Sequence, residues 1–71
     1  MNIFINGQHY DISLLTEQNL QQALKVFLNH QQPLSTFAVA LNGEFVDRTH
    51  YQQTQLVAND KVDVLFPIQG G

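Results

Sequence analysis

The chain has 71 residues, of which 44% are hydrophobic and 13% are charged, and its formal net charge is −3. This length gives room for one hydrophobic core, and the composition is too apolar and too weakly charged for a disordered segment. The sequence has no cysteine, which excludes disulfides, thiolate metal sites and a cysteine nucleophile. The three lysine and arginine residues are well separated, whereas a nucleic-acid surface needs clustered basic side chains. We therefore expect one small folded domain with no nucleic-acid partner.

Neither export nor membrane insertion is indicated by the sequence. The start of the chain lacks a positively charged segment followed by an apolar one. Every apolar run is much shorter than the about 20 residues that a membrane-spanning helix needs. These features predict a cytoplasmic protein with no membrane partner.

The first predicted element is a β-hairpin made of residues 2–6 and 8–12. In the first segment, Ile3 and Ile5 lie on one face and Phe4 on the other, and in the second segment Tyr10 and Ile12 alternate with polar residues. Asn6-Gly7 lies between the segments, and this dipeptide favours a two-residue type I′ turn. The bulky residues on both faces indicate that the first strand is central in its sheet.

One amphipathic helix is predicted after the hairpin. Thr16 is a residue type that often caps helices, and Glu17 has the charge that the first turn favours. Apolar residues then recur at three-and-four spacing and form one stripe, comprising Leu20, Ala23, Leu24, Phe27 and Leu28. Pro33 prevents the helix from continuing further. We expect a helix that begins near Glu17 and ends before Pro33.

Three more strands are predicted in the second half of the chain. Residues 37–41 alternate large and small apolar side chains, and Asn42-Gly43 then repeats the turn signal. Residues 44–47 form a short return strand, and residues 48–51 form a loop or a single helical turn. The last strand covers residues 62–66. The predicted element order is β-β-α-β-β-β.

This order predicts the fold class. One helix can cover only one face of a sheet, so a doubly wound fold is excluded. Burying the helix stripe requires the two most apolar strands, the first and the last, to pair beneath it. The prediction is an α+β fold of the β-grasp (ubiquitin-like) type, with a mixed β-sheet wrapped around one helix. The domain covers residues 1–67, and residues 68–71 form a flexible C-terminal tail that ends in Gly-Gly.

The tail is the segment that points to a chemical function. Pro67 has no N–H for a sheet ladder, so the last strand should release the chain there. The four residues beyond it extend at most about 13 Å, and glycine has no Cβ to clash with a narrow channel. These residues are Ile68, Gln69, Gly70 and Gly71. Such a tail can be threaded into a partner's active site, although a frayed end or an appended linker has a similar composition.

The sheet face away from the helix is predicted to dock a partner. Alternation sends five apolar side chains to this face, namely Phe4, Ala38, Ala40, Phe45 and Leu65. An exposed apolar patch often marks a partner site, yet scattered apolar residues are also common on the surfaces of small proteins. Asp47 and Arg48 either add a polar rim to this face or form a solvated pair.

No catalytic or metal-binding constellation stands out. His9, His30 and His50 lack the regular spacing of metal ligands. Ser13 and Ser35 lie in no nucleophile motif, and the sequence has no Gly-rich phosphate loop. We therefore predict no catalytic residue, no bound metal and no bound cofactor, and a protein on which partner enzymes act.

Three segments of the chain resemble the ThiS family, the sulfur carriers of thiamine biosynthesis. They are Met1 to Gly7, Leu41 to Arg48, and Asn59 to the terminal Gly70-Gly71. The chain departs from the family at two positions, because Asp47 stands where members often have proline and Asn59 where they often have glycine. Asparagine tolerates the left-handed conformation, so we expect the turn at Asn59 to survive.

The resemblance implies that an E1-like adenylyltransferase adenylates the carboxylate of Gly71 and consumes ATP. A sulfur donor enzyme then converts it to a thiocarboxylate, and thiazole synthase receives the sulfur. The small subunit of molybdopterin synthase has a similar ending and the same chemistry, and a ubiquitin-like modifier also uses an activated terminus. In a further alternative, the chain is a non-catalytic β-grasp interaction module and its diglycine has no chemical role.

Overall fold

The computed structural model describes residues 1–28 and 37–66. Its elements, in chain order, are β1 (Asn2–Ile5), β2 (Gln8–Asp11), helix α1 (Leu20–Leu28), β3 (Ala38–Leu41), β4 (Glu44–Val46), a 3-10 helix (Arg48–Gln53) and β5 (Lys61–Leu65). The strands and α1 follow the predicted order, and each strand end lies within about one residue of its predicted place. The 3-10 helix occupies the segment predicted as a loop or a single helical turn.

Two Asn-Gly turns join the antiparallel strand pairs β1–β2 and β3–β4. In the first turn, φ is 51° at Asn6 and 81° at Gly7, and in the second it is 51° at Asn42 and 89° at Gly43. A type I′ turn requires positive φ at both central residues. The prediction of type I′ hairpins is therefore confirmed by both turns.

The strands form one mixed sheet in the order β2-β1-β5-β3-β4. The first and last strands, β1 and β5, are parallel neighbours, and β5 is antiparallel to β3 on its other edge. The predicted pairing of the first and last strands is confirmed. As a result, the strand that leads to the tail lies in the centre of the sheet.

Helix α1 covers one face of the sheet and closes the hydrophobic core. Its buried side chains are Leu20, Ala23, Leu24 and Leu28. The strands, the 3-10 helix and the loops contribute Ile3, Ile5, Ile12, Val39, Tyr51, Leu56, Val62 and Val64. In β5, buried residues alternate with exposed ones, so one face of the strand meets the core and the other faces outward.

The helix begins later than predicted, at Leu20 instead of near Glu17. Its cap is Asn19, whose side-chain oxygen accepts a hydrogen bond of 2.9 Å from the backbone N–H of Gln22. The preceding backbone is paired with the loop before β5, because the carbonyl of Gln18 accepts a hydrogen bond from the backbone N–H of Leu56. Backbone that is paired in this way cannot form the first turn of a helix. The predicted cap at Thr16 is therefore wrong, and the predicted end of the helix before Pro33 lies outside the described residues.

Candidate functional site

Strand β5 ends at Leu65, and Phe66 is the last residue that the structure describes. The ring of Phe66 packs edge-on against Phe37, with the ring centroids 6.0 Å apart. The predicted release point at Pro67 lies outside the described residues, as do the tail residues Ile68, Gln69, Gly70 and Gly71. The described part of the candidate site is therefore the base of the tail, formed by β5 and its neighbours.

On the β1 side, the side chain of Asn6 holds β5 near its end. The backbone N–H of Asn6 donates to the carbonyl of Val62 at 2.9 Å. Beyond that bond, its side-chain oxygen accepts from the N–H of Val64 at 2.8 Å, and its side-chain nitrogen donates to the carbonyl of Val64 at 3.3 Å. The amide thus pairs with both backbone groups of Val64, as another strand residue would.

At the start of β5, the side chain of Asn42, in the β3–β4 turn, also forms hydrogen bonds with this strand and the turn before it. The side-chain oxygen of Asn42 accepts from the backbone N–H of Lys61 at 2.9 Å, and its nitrogen donates to the Asp60 carboxylate at 3.0 Å. The other carboxylate oxygen of Asp60 accepts from the backbone N–H of Val57 at 2.8 Å. These bonds fix the turn that leads into β5, where Asn59 has the left-handed φ of 71° that we expected of it.

The outer face of the sheet, opposite α1, carries the residues predicted to dock a partner. The strand register pairs Ala38 with Leu65 and Ala40 with Phe45, so these side chains share one face. Phe45 and Leu65 are 72% and 52% exposed. They lie on either side of the alanines of β3, and Leu65 is the last residue of β5. An exposed apolar surface therefore adjoins the base of the tail.

Two of the five predicted docking residues contribute less surface than we expected. Ala40 is only 7% exposed, because its small side chain lies between the larger side chains of β4 and β5. Phe4 is half-buried, and its ring packs against His9 with centroids 5.8 Å apart. Lys61 and Asp63, on the outer face of β5, also make this face less apolar than predicted. The exposed apolar surface is thus limited mainly to β3, β4 and the end of β5.

Asp47 and Arg48 do not act together at the edge of the outer face. Arg48 lines a groove on the helix side of the sheet, with Leu24 and Tyr51. Asp47 caps the 3-10 helix, and its carboxylate accepts hydrogen bonds from the hydroxyl and the backbone N–H of Thr49. These bonds from Thr49 lower the pKa of Asp47 from its ordinary value. The alternative of a polar rim made by this pair is therefore wrong.

His9 and His50 are not gathered into a metal site, and His30 lies outside the residues that the structure describes. His9 packs against Phe4, whereas His50 lies 3.9 Å from the carboxylate of Asp47. Residues 1–28 and 37–66 contain no cluster of three or more His, Asp or Glu side chains that could hold a metal ion. No helix within these ranges is long and apolar enough to cross a membrane.

Comparison with known proteins identifies the family. The sequence model of the ThiS family matches residues 2–71, which is almost the whole chain. The chain belongs to the ThiS family. It is similar to the crystal structure of a thiamine biosynthesis protein (ThiS) from Geobacter metallireducens, with 28% sequence identity and a TM-score of 0.75. That similarity covers 100% of both chains and confirms the β-grasp fold. Among curated protein sequences, none matches.

The ThiS-family resemblance and the residue patterns did not reveal the side-chain roles of Asn6 and Asn42. The sequence pattern predicts both only as turn residues, since Asn-Gly is a sufficient turn signal. The strand that each asparagine side chain contacts depends on the order of strands in the sheet. The hydrogen bonds from the two amides to β5 could therefore be found only in the folded structure. The cap made by Asp47 had a local signal, because aspartate is favoured at helix N-caps and its side chain often accepts from the backbone two residues later.

Proposed function

We propose that this ThiS-family chain is a sulfur carrier of thiamine biosynthesis and that its working group is the carboxylate of Gly71. The observation that carries the proposal is the family match, which extends through residue 71 and so includes the diglycine. The chain also resembles the solved thiamine biosynthesis protein over the full length of both chains, which supports the same role.

Sulfur transfer requires that this carboxylate first be activated. An ionised carboxylate resists attack because its oxygen is a poor leaving group. When the carboxylate attacks the α-phosphorus of ATP, pyrophosphate leaves and a mixed anhydride with AMP remains. Hydrosulfide supplied by a donor enzyme then attacks the carbonyl carbon, AMP leaves with the shared oxygen, and the thiocarboxylate remains. An E1-like adenylyltransferase supplies the ATP site, so the carrier itself needs no catalytic side chain and no bound cofactor.

The described geometry suits a protein that presents a tail to partner enzymes. Strand β5 is held on both edges, so the tail leaves from a fixed base. The exposed side chains of Phe45 and Leu65 lie beside that base and offer a docking surface for the adenylyltransferase and for thiazole synthase. A cytoplasmic location is consistent with the ATP-dependent step.

Mass spectrometry of the intact protein tests this function. After incubation with ATP, a cognate adenylyltransferase and a sulfur source, we expect a mass increase equal to the difference between sulfur and oxygen, localised to Gly71. Gly70→Val should block this change, because a β-branched residue restricts the backbone and adds bulk in a narrow channel. Circular dichroism serves as the control that Gly70→Val is folded.

The same assay separates the carrier from the interaction module. Deletion of Gly71 should abolish sulfur loading by a carrier and leave its fold intact, whereas a plain interaction module would never be loaded. Modification at another residue, or wild-type loading of Gly70→Val, would contradict the threaded-tail mechanism.

A further inference from the structure

The end of β5 is paired on its β1 edge by a side chain instead of a strand. The parallel pairing of β1 with β5 ends at Ile5 and Val62, and the backbone turns away at Asn6 with a φ of 51°. Among residues 1–28 and 37–66, only the side-chain amide of Asn6 continues the pairing toward the tail, through its bonds of 2.8 and 3.3 Å to Val64. Its planar amide has the donor and acceptor of a peptide group and so extends the sheet by one more residue.

This pair of bonds is close to the tail. Val64 is two residues before Phe66, and on its other edge it pairs with Val39 of β3. Without the Asn6 amide, β3 would be the one described segment that still pairs with the last residues of β5. The direction in which the chain leaves the sheet would then be less restricted, because one edge of the strand would lack its hydrogen bonds.

We propose that Asn6 is a positioning residue for the loading of Gly71, acting by fixing the direction of the tail. This inference rests on the proposed function. Docking through the outer face brings the carrier to its adenylyltransferase, but reaction also requires the carboxylate to lie in line with ATP. A wider range of tail directions lowers the fraction of bound complexes in which the tail is placed for reaction. Loss of the Asn6 amide should therefore lower kcat, whereas changes on the outer face should raise KM.

Asn42 provides a matched control. It also occupies the first position of an Asn-Gly turn with a φ of 51°, and its side chain also bonds the backbone of β5. It contacts Lys61 at the start of the strand, away from the tail. Replacing either asparagine by glycine removes the amide and retains a residue that accepts the left-handed conformation. The two variants therefore lose similar bonds at opposite ends of the same strand.

The experiment measures ATP-dependent sulfur loading by the cognate adenylyltransferase, with the wild type, Asn6→Gly and Asn42→Gly as protein substrates. We expect kcat for Asn6→Gly to fall by about tenfold or more, with KM changed by less than about twofold. Asn42→Gly should keep kcat and KM near their wild-type values, even where its melting temperature falls as far as that of Asn6→Gly. Amide hydrogen exchange at Val64 should be faster in Asn6→Gly alone.

A second variant, Asn6→Asp, tests the proposal without depending on whether Asn6→Gly folds. Aspartate tolerates a positive φ and still accepts from the N–H of Val64, but its carboxylate cannot donate to the Val64 carbonyl. Its kcat should lie between those of the wild type and Asn6→Gly. Equal kcat for Asn6→Gly and Asn42→Gly, or a loss confined to KM, would overturn the proposal while leaving the function intact. A wild type that is never loaded would overturn both the function and this inference.

Discussion

Asp47 begins the 3-10 helix at a position where members of the ThiS family often have proline. Proline restricts φ before a helical turn, whereas Asp47 uses its carboxylate to accept from the hydroxyl and backbone N–H of Thr49. Both residue types favour the start of a helix at this place, by different physical means. The departure from the family pattern at Asp47 is therefore compatible with a helix start at this place.

The cap at Asp47 predicts a specific dependence of stability on pH. Because Thr49 lowers the folded-state pKa of Asp47, its ionised form stabilises the folded protein above about pH 4. That contribution is lost as the pH falls through the lowered pKa. We expect Asp47→Ala to melt at a lower temperature than the wild type at pH 7, with the difference shrinking in acid. Thermal melts at a series of pH values measure this.

Asp47→Asn is the control, because asparagine also caps helices but does not titrate. Its advantage over Asp47→Ala should persist at every pH. Asp11, whose pKa is lowered by hydrogen bonds from Ser13, is present in all three proteins, so its contribution cancels from the differences. A gap between the wild type and Asp47→Ala that stays constant into acid would contradict the assignment.

At the scale of single elements, α1 is held in place mainly by its buried face. The described part of α1 has nine residues, and isolated helices shorter than about 12–15 residues are marginal in water, so packing against the sheet stabilises it. Leu24→Ala should lower the free energy of unfolding by about 2–5 kcal/mol, a large fraction of what a domain of this size has. Urea denaturation measures the change.

Val26 on the same helix provides the comparison, because its side chain is 42% exposed. Val26→Ala should change stability by no more than about 0.5 kcal/mol, since it removes little buried surface and alanine favours helix. Similar urea midpoints for Leu24→Ala and the wild type would show that this face of α1 is not a major part of the core.

At the scale of the whole molecule, the helix and the proposed docking surface lie on opposite faces of one sheet. We expect Phe45→Glu and Leu65→Glu to weaken binding to the adenylyltransferase, because a charge replaces exposed apolar surface at the interface. Their melting temperatures should stay near wild type, since both side chains already face solvent. Binding affinity by calorimetry and thermal melts measure the two effects.

Val26→Glu is the control for this prediction, because it places the same charge on the helix side of the molecule. It should leave binding unchanged. Equal loss of affinity in all three variants would indicate a general effect of charge and would remove the outer face as the docking surface.

Local patterns in the sequence determined most of the fold. The Asn-Gly turns, the period-two strands and the apolar stripe of the helix each depend on a few neighbouring residues, so they can be predicted without tertiary contacts. The pairing of β1 with β5 also followed, because one helix can bury only one apolar face. The tail that carries the proposed chemistry was predicted from its residue types alone and stays a prediction, because residues 67–71 lie outside the described residues.

Other features were decided only by the tertiary structure. The helix begins at Leu20 because the backbone of residues 18 and 19 pairs with the loop before β5, which lies far away in the sequence. Ala40 is buried because of the side chains on the strands beside it, and not because of its own pattern. The amide of Asn6 reaches Val64, 58 residues later, since β1 and β5 are neighbours in the sheet. Contacts between distant segments depend on how the elements assemble, so the spacing of neighbouring residues in the sequence cannot predict them.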